Sequence, residues 1–183
     1  SSSAASDVYK RQIPHGSRNT KTISDYLVRF AQERGLRFRQ DEWNNVVIFQ
    51  PGTPGYEDHP PVILQGHMDM VCEKNNGTVH DFDNDPIETI VDGNWLCANG
   101  TTLGADNGIG ASLAMAVLSD TTIKHGPIEA LFTIDEEEGM DGAFGLKPGF
   151  LKGETLINCD SEEEGELFVG CAGGADLNIS IQF

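Results

Sequence analysis

The stretch Ile128-Glu129-Ala130-Leu131-Phe132-Thr133-Ile134-Asp135-Glu136-Glu137-Glu138-Gly139-Met140 decides how the rest of the chain is read. An apolar run over residues 128–134 passes without a break into four consecutive carboxylates, and no Lys or Arg follows until Lys147. The run is short, with Ile, Leu, Phe and Thr side chains, and fits a buried strand. Four acids at the end of such a strand repel one another and are costly to desolvate. A solvated turn would tolerate them. A bound cation would instead hold them in place and use their charge. The choice depends on where the other acids and the histidines fall.

Working outward, two more apolar runs read as buried strands: Val62-Ile63-Leu64, bounded by Pro61 and Gly66, and residues 155–159. Residues 104–110 are Gly-rich and lead into an apolar helix over 109–118, expected to be covered on several sides. Residues 20–34 carry Ile23, Leu27, Phe30 and Ala31 on one helical face, with Gly35 as the stop. Residues 38–40 and 45–49 read as strands around a turn at 41–44. The Pro- and Gly-rich stretch 51–61 is a surface loop. Residues 72–94 form a long polar excursion, and 95–98 a short strand. Residues 176–183 alternate cleanly, with Leu177, Ile179, Ile181 and Phe183 on one face of a half-exposed strand. Buried strands alternating with helices predict an α/β fold: a three-layer α/β/α domain around a largely parallel central sheet. In such sheets ligands sit beyond the carboxyl ends of the strands.

Composition narrows the partners. The 183 residues carry 12 basic and 29 acidic side chains, a formal net charge of -17, which repels nucleic acid and anionic membrane and suits cations. No apolar run of 18 residues exists, so no membrane span is expected. Residues 1–12 are Ser/Ala-rich and then charged; they read as a disordered or non-native leader without a signal peptide's apolar core. Cys72, Cys97, Cys159 and Cys171 lack C-x-x-C spacing and read as reduced, mostly buried thiols, which points to the cytoplasm.

Three strand ends carry ligand chemistry. Val62-Ile63-Leu64 runs into His67 and Asp69, residues 128–134 into Asp135 to Glu138, and residues 155–159 into Asp160. The Gly-rich turn adds Asp106. Alone, each has an ordinary reading: a loop or core histidine, a helix N-cap at Asp106, a solvated face at 136–138, a turn residue at Asp160. Together, on parallel neighbours, they would converge on one sheet edge. One imidazole with several carboxylates suits zinc, cobalt or manganese better than calcium, and a carboxylate bridging two ions would balance the charge. A carboxylate at Asp69 would fix the tautomer of a ligating His67. His15, His59, His80 and His125 are weaker candidates for substrate contacts.

These segments resemble the dinuclear zinc exopeptidases: His67-Met68-Asp69-Met70-Val71, Gly104-Ala105-Asp106-Asn107-Gly108, Asp135 to Met140, and Asn158-Cys159-Asp160-Ser161-Glu162. Within that family the chain is most similar to the aminoacyl-histidine, or cytosolic non-specific, dipeptidases. Ile13-Pro14-His15, His80-Asp81-Phe82, Thr101-Thr102-Leu103, His125 to Glu129 and Gly170 to Gly174 carry the further likeness. The resemblance implies His67 and Asp160 as ligands of one zinc ion, Asp106 as the bridge, Glu137 on the second ion, Asp69 as the residue orienting His67, and Glu136 as general base toward a metal-bridged water. Two ions per full-length subunit are implied, with Co2+ or Mn2+ as substitutes.

It also implies a small dipeptide substrate, of the Xaa-His kind or broader, and a homodimer formed through a lid domain. The family's final His ligand lies far downstream. Residues 13–175 are therefore read as the N-terminal part of a catalytic domain, incomplete at both ends, and 176–183 as the first strand of a truncated lid. A chain so divided is expected to be inactive as it stands. Two alternatives stay open: a related zinc amidohydrolase acting on N-acyl amino acids, and a non-catalytic cation-binding fragment.

Overall fold

The computed structural model describes residues 13–161, 165–171 and 173. The expected leader over 1–12 and the expected strand over 176–183 lie outside the described residues.

Helix α1 (Lys21–Glu33) buries Ile23, Leu27, Phe30 and Ala31, the face read from the sequence. Ser24 joins them because its hydroxyl donates to the Asn44 carbonyl at 2.7 Å and accepts from Gln40 Nε2 at 2.7 Å. Gly35, at φ 65°, lets the chain leave the helix in the left-handed region. Strand β1 (Arg37–Gln40) then pairs antiparallel with β2 (Val46–Gln50). The turn between them is built on Asp41, whose Oδ1 accepts from the backbone N–H of Trp43 and of Asn45, each at 2.9 Å.

The remaining elements are β3 (Val62–His67), β4 (Thr89–Asp92), β5 (Trp95–Ala98), α2 (Ala105–Ser119), β6 (Ile128–Thr133), α3 (Asp141–Gly145) and β7 (Thr155–Asn158). The five-stranded sheet runs β1-β2-β6-β3-β7. It is mixed. Strands β6, β3 and β7 are parallel neighbours, whereas β2 joins β6 antiparallel. The parallel half carries the strand ends of interest. The antiparallel pairing of β1 with β2 follows from the tight turn after Gln40, which can only return the chain antiparallel.

Helices α1 and α2 cover one face, closing a core around Leu27, Val46, Met115, Ala130 and Phe132. On the other face Val47, Ile63 and Leu131 lie under Leu146, Phe150 and Leu151 of the segment after α3. Among the described residues this second layer is one short helix and a loop.

Four local expectations are corrected. Strand β7 is exposed throughout, because β3 flanks it on one side and no described strand on the other. Helix α2 turns Ile109 and Leu113 outward, 56% and 53% exposed, so it is covered on one face only. The polar excursion contains strand β4, which forms an antiparallel hairpin with β5. The cysteines are free, yet Cys72 and Cys171 are exposed and the other two are intermediate. Among the described residues no helix is long and apolar enough to cross a membrane.

Candidate metal centre

The parallel register brings three strand ends together. His67, the last residue of β3, pairs with Thr133, the last of β6, and Gln65 pairs with Asn158, the last of β7. The backbone stays tied past these ends: Met68 N–H donates to the Thr133 carbonyl at 2.9 Å, and Cys159 N–H to the Gln65 carbonyl at 2.8 Å. Residues 135–137 and Asp160 therefore emerge beside His67.

His67 is 1% exposed. Its Nδ1 lies 3.0 Å from the Asp69 carbonyl oxygen and 3.3 Å from Asp69 Oδ1. A carbonyl can only accept, so Nδ1 carries the proton and the ring's orientation is set. Nε2 then faces the acids: Asp106 Oδ1 at 3.0 Å, Asp160 Oδ2 at 3.7 Å and Glu136 Oε2 at 4.0 Å. Ligand atoms of His67, Asp106 and Asp160 lie within 4.8 Å of one another, and so do those of His67, Glu136 and Glu137. His67 belongs to both groups, and its Nε2 can serve one ion at a time.

The turn after β6 sorts its four acids. Asp135, at φ 51°, is 8% exposed and turns its carboxylate inward, where Oδ1 accepts from Arg18 N–H at 2.7 Å. Glu138 pairs with the Arg18 guanidinium. The cation missing from the neighbouring sequence thus arrives from 120 residues away. Only Glu136 and Glu137 remain facing His67. Below them Asp69, 1% exposed, receives Glu136 N–H at 3.2 Å, Glu137 N–H at 3.4 Å and the Ser17 hydroxyl at 2.8 Å.

Asp106 lies at the start of α2, where it and Asn107 leave helical geometry and the regular helix follows. Asn107 Nδ2 donates to the Cys159 carbonyl at 2.9 Å and to Asp160 Oδ1 at 2.7 Å, so it fixes the loop after β7. Gly66 allows this approach: a Cβ there would sit 2.4 Å from Asn107 Oδ1.

The groups perturb one another's charge. Burial works against a charged His67, yet hydrogen bonding to Asp69 and the charges of Asp69 and Asp160 push it up to about 9. Burial also opposes ionisation of Asp69, but the bonds from His67 and Ser17 hold it below the usual carboxylate range. Glu137 is raised, by burial and then by Asp106. Asp160 is raised by burial and by Asp106, with His67 acting the other way. A divalent ion among these groups would relieve the repulsion and replace the proton on Nε2. One imidazole with several carboxylates is a donor set that fits such an ion.

Of the weaker candidates, none enters either ligand group. His15 is buried, with Nδ1 2.6 Å from the Ile13 carbonyl. His80 meets Phe82 edge-on, and His59 stacks on Tyr56. His125 bonds the Gly126 carbonyl at the opposite end of β6. Three contributors went unread in the sequence: Ser17, Arg18 and Asn107. Asn107 carries the one available signal, its place beside Asp106.

Residues 63–175 match Peptidase family M20/M25/M40. The chain belongs to that family. It is 52% identical over 169 residues to the cytosol non-specific dipeptidase of Escherichia coli (strain K12), covering 92% of this chain and 35% of that protein. Its structure is similar to aminoacylhistidine dipeptidase from Vibrio alginolyticus, with a TM-score of 0.88, 52% identity, and 91% of this chain and 34% of that one covered. Aminopeptidase PepT from Bacillus cereus is similar in fold at 20% identity, with a TM-score of 0.72 over 88% of this chain and 43% of its own. The chain thus spans about a third of the length of the two more similar relatives. The α/β class and the resemblance to aminoacyl-histidine dipeptidases read from the motifs agree with these matches.

Proposed function

We propose that the complete protein hydrolyses dipeptides, of the Xaa-His kind or more broadly, at a centre holding two divalent ions, zinc in the first instance. The observation that carries this reading is that His67 is shared by two groups of ligand atoms, one with Asp106 and Asp160 and one with Glu136 and Glu137. The 52% identity to two dipeptidases supports the substrate class.

His67 and Asp160 would hold one ion, Glu137 the second, and Asp106 would bridge them. Bound ions supply Lewis acidity, polarising the scissile carbonyl and easing deprotonation of water. Asp69 holds His67 in the tautomer that aims a lone pair at the centre. Glu136 is left to move the proton. It is about a third exposed and its Oε2 lies 4.0 Å from His67 Nε2, so its carboxylate can take a proton from the attacking water and return it to the leaving amine. The homologous E. coli protein is named for the cytosol, and we place this protein there as well. Dimerisation through a lid domain belongs to the same reading.

The test is Glu136→Gln in the complete protein, with metal content and turnover measured together. Expected are unchanged metal content and a rate lower by about 10²–10⁴-fold, the range for removing a general base. Full activity would assign the base elsewhere. A substrate panel including β-alanyl-histidine and N-acyl amino acids fixes the class; preference for the acyl compounds would replace dipeptidase by amidohydrolase.

A further inference from the structure

A turn of four adjacent acids has no intrinsic reason to present its second and third residues to a metal centre. The sequence Asp135-Glu136-Glu137-Glu138 is nearly uniform in chemistry. A loop more than a hundred residues upstream contacts this turn. Gly16 bridges Met70 in parallel fashion, Met70 N–H donates to the His15 carbonyl at 3.1 Å, and Ser17 N–H donates to the Met70 carbonyl at 3.3 Å. The loop is thereby fixed to the extension of β3. From that anchor it takes hold of the turn: Arg18 N–H on Asp135 Oδ1 at 2.7 Å, and the Ser17 hydroxyl on Asp69 Oδ2 at 2.8 Å. Asp69 in turn receives the N–H groups of Glu136 and Glu137.

We propose that Ser17 and the Arg18 backbone are positioning groups of the metal centre: they pin Asp135 and Asp69 so that Glu136 and Glu137 face His67. This rests on the dipeptidase reading for its metal, and on geometry alone for the positioning. The buried Asp135 contact matters more than the Arg18–Glu138 pair, whose side chains are 65% and 50% exposed and which water and salt weaken. A hydrogen bond onto a buried carboxylate is stronger, and losing its donor leaves an unsatisfied charge.

Asp135 sits in the left-handed region, which Asn and Gly tolerate, so two substitutions separate backbone from side chain. Asp135→Asn keeps both the conformation and an acceptor for Arg18 N–H. Asp135→Gly keeps the conformation and removes the acceptor. In the complete protein, Asp135→Gly is expected to weaken Zn2+ binding by about 10–100-fold in competition titrations and to lower kcat with little change in KM, while Asp135→Asn stays within about threefold. Ser17→Ala should move in the same direction by less, and Ser17→Thr should restore it.

A second measurement does not depend on metal. In metal-free protein, the amides of Glu136 and Glu137 should exchange with solvent about tenfold faster in Asp135→Gly, while those of β3 and β6 keep their rates. Equal behaviour of the Gly and Asn variants would overturn the proposal. So would a Gly variant that melts earlier yet keeps its metal affinity and amide protection, because the role would then be structural. If the unsubstituted protein bound no divalent ion, the functional reading would fail, and the exchange experiment would still decide the positioning.

Discussion

Strands β3 and β7 are hydrogen-bonded neighbours, and each delivers a ligand candidate just past or at its last residue. Their surroundings differ completely. His67 and Asp69 sit at 1% exposure under a helix and beside β6, whereas every residue of β7 is exposed. The central strand places its functional group by burial. The edge strand places Asp160 through two borrowed contacts, Cys159 N–H on the Gln65 carbonyl and Asn107 on Asp160 Oδ1. A metal centre built this way has one rigid wall and one wall held by polar contacts. The two walls should respond differently to substitution.

The largest difference concerns metal. His67 is common to both groups of ligand residues, and Asp160 belongs to one. On the proposed two-ion reading, His67→Ala should therefore abolish tight binding of the first ion and disturb the second. Asp160→Ala should leave the second ion in place. A change in a residue that merely supports a ligand costs about 10–100-fold in affinity, so loss of His67 itself should exceed about 100-fold. Metal content by atomic absorption after exhaustive dialysis, backed by competition titration, reads both variants. Equal losses in the two would mean that the walls are not separable.

That asymmetry also explains how much the sequence disclosed. Strands β3 and β6 were legible because their apolar runs are uninterrupted and bounded by Pro, Gly or acids. Strand β7 has the same kind of run, Thr-Leu-Ile-Asn, and nothing in it says that its outer side is uncovered. The candidates His67, Asp69, Asp106, Glu136, Glu137 and Asp160 could be singled out because each stands at or shortly past an element end, and the structure brings His67 together with Asp69, Asp106, Asp160, Glu136 and Glu137. Ser17, Arg18 and Asn107 act across 52 to 120 residues of separation. Serine and arginine in loops are too common to single out, Asn107 offers only its place beside Asp106, and the folded register gives all three their partners.

The second prediction exploits the charge on the rigid wall. In metal-free protein His67 should titrate near 9, well above an ordinary imidazole. A raised folded-state value means that the protonated ring stabilises the fold. That contribution is complete below about 6.5 and is lost as pH rises through about 9. A divalent ion held at Nε2, as proposed, would expel the same proton, so its affinity should climb with pH over this window and level off above it. An NMR titration of the His67 ring in metal-free protein checks the first point. A value near 6.5 would show that Asp69 and its neighbours do not hold the proton.

Next in size is Gly66→Ala, in the centre of the rigid wall. A new Cβ would lie 2.4 Å from Asn107 Oδ1 and 3.2 Å from the Ala111 nitrogen, in the helix start that carries Asp106. Overpacking of this kind costs about 1–3 kcal/mol. Chemical denaturation should show that loss, and Asp160 should suffer with it because Asn107 is displaced. A neutral result would mean that helix α2 slides away freely from β3.

The smallest effect is also the most controlled, since it compares like with like. Ile63 and Ile157 are both isoleucines on the paired strands, at 4% and 49% exposure. Removing one methylene from Ile63 leaves a gap beside Val47 and Leu131, and Ile→Val in a packed core costs about 0.5–1.5 kcal/mol. The same change at Ile157 removes a group that already touches solvent, and substitutions at such sites stay within about 0.5 kcal/mol. Denaturant midpoints of the two valine variants, compared at equal slope, give the difference directly. Run on the 183-residue chain, the pair should differ as stated. Run on a longer form of the protein, Ile157→Val becomes a gauge of whether anything packs on the β7 edge: a cost that rises to match Ile63→Val would mean that the edge is covered there. An Ile157 cost as large in the 183-residue chain itself would contradict the exposed strand, and with it the contrast between a rigid wall and a borrowed one.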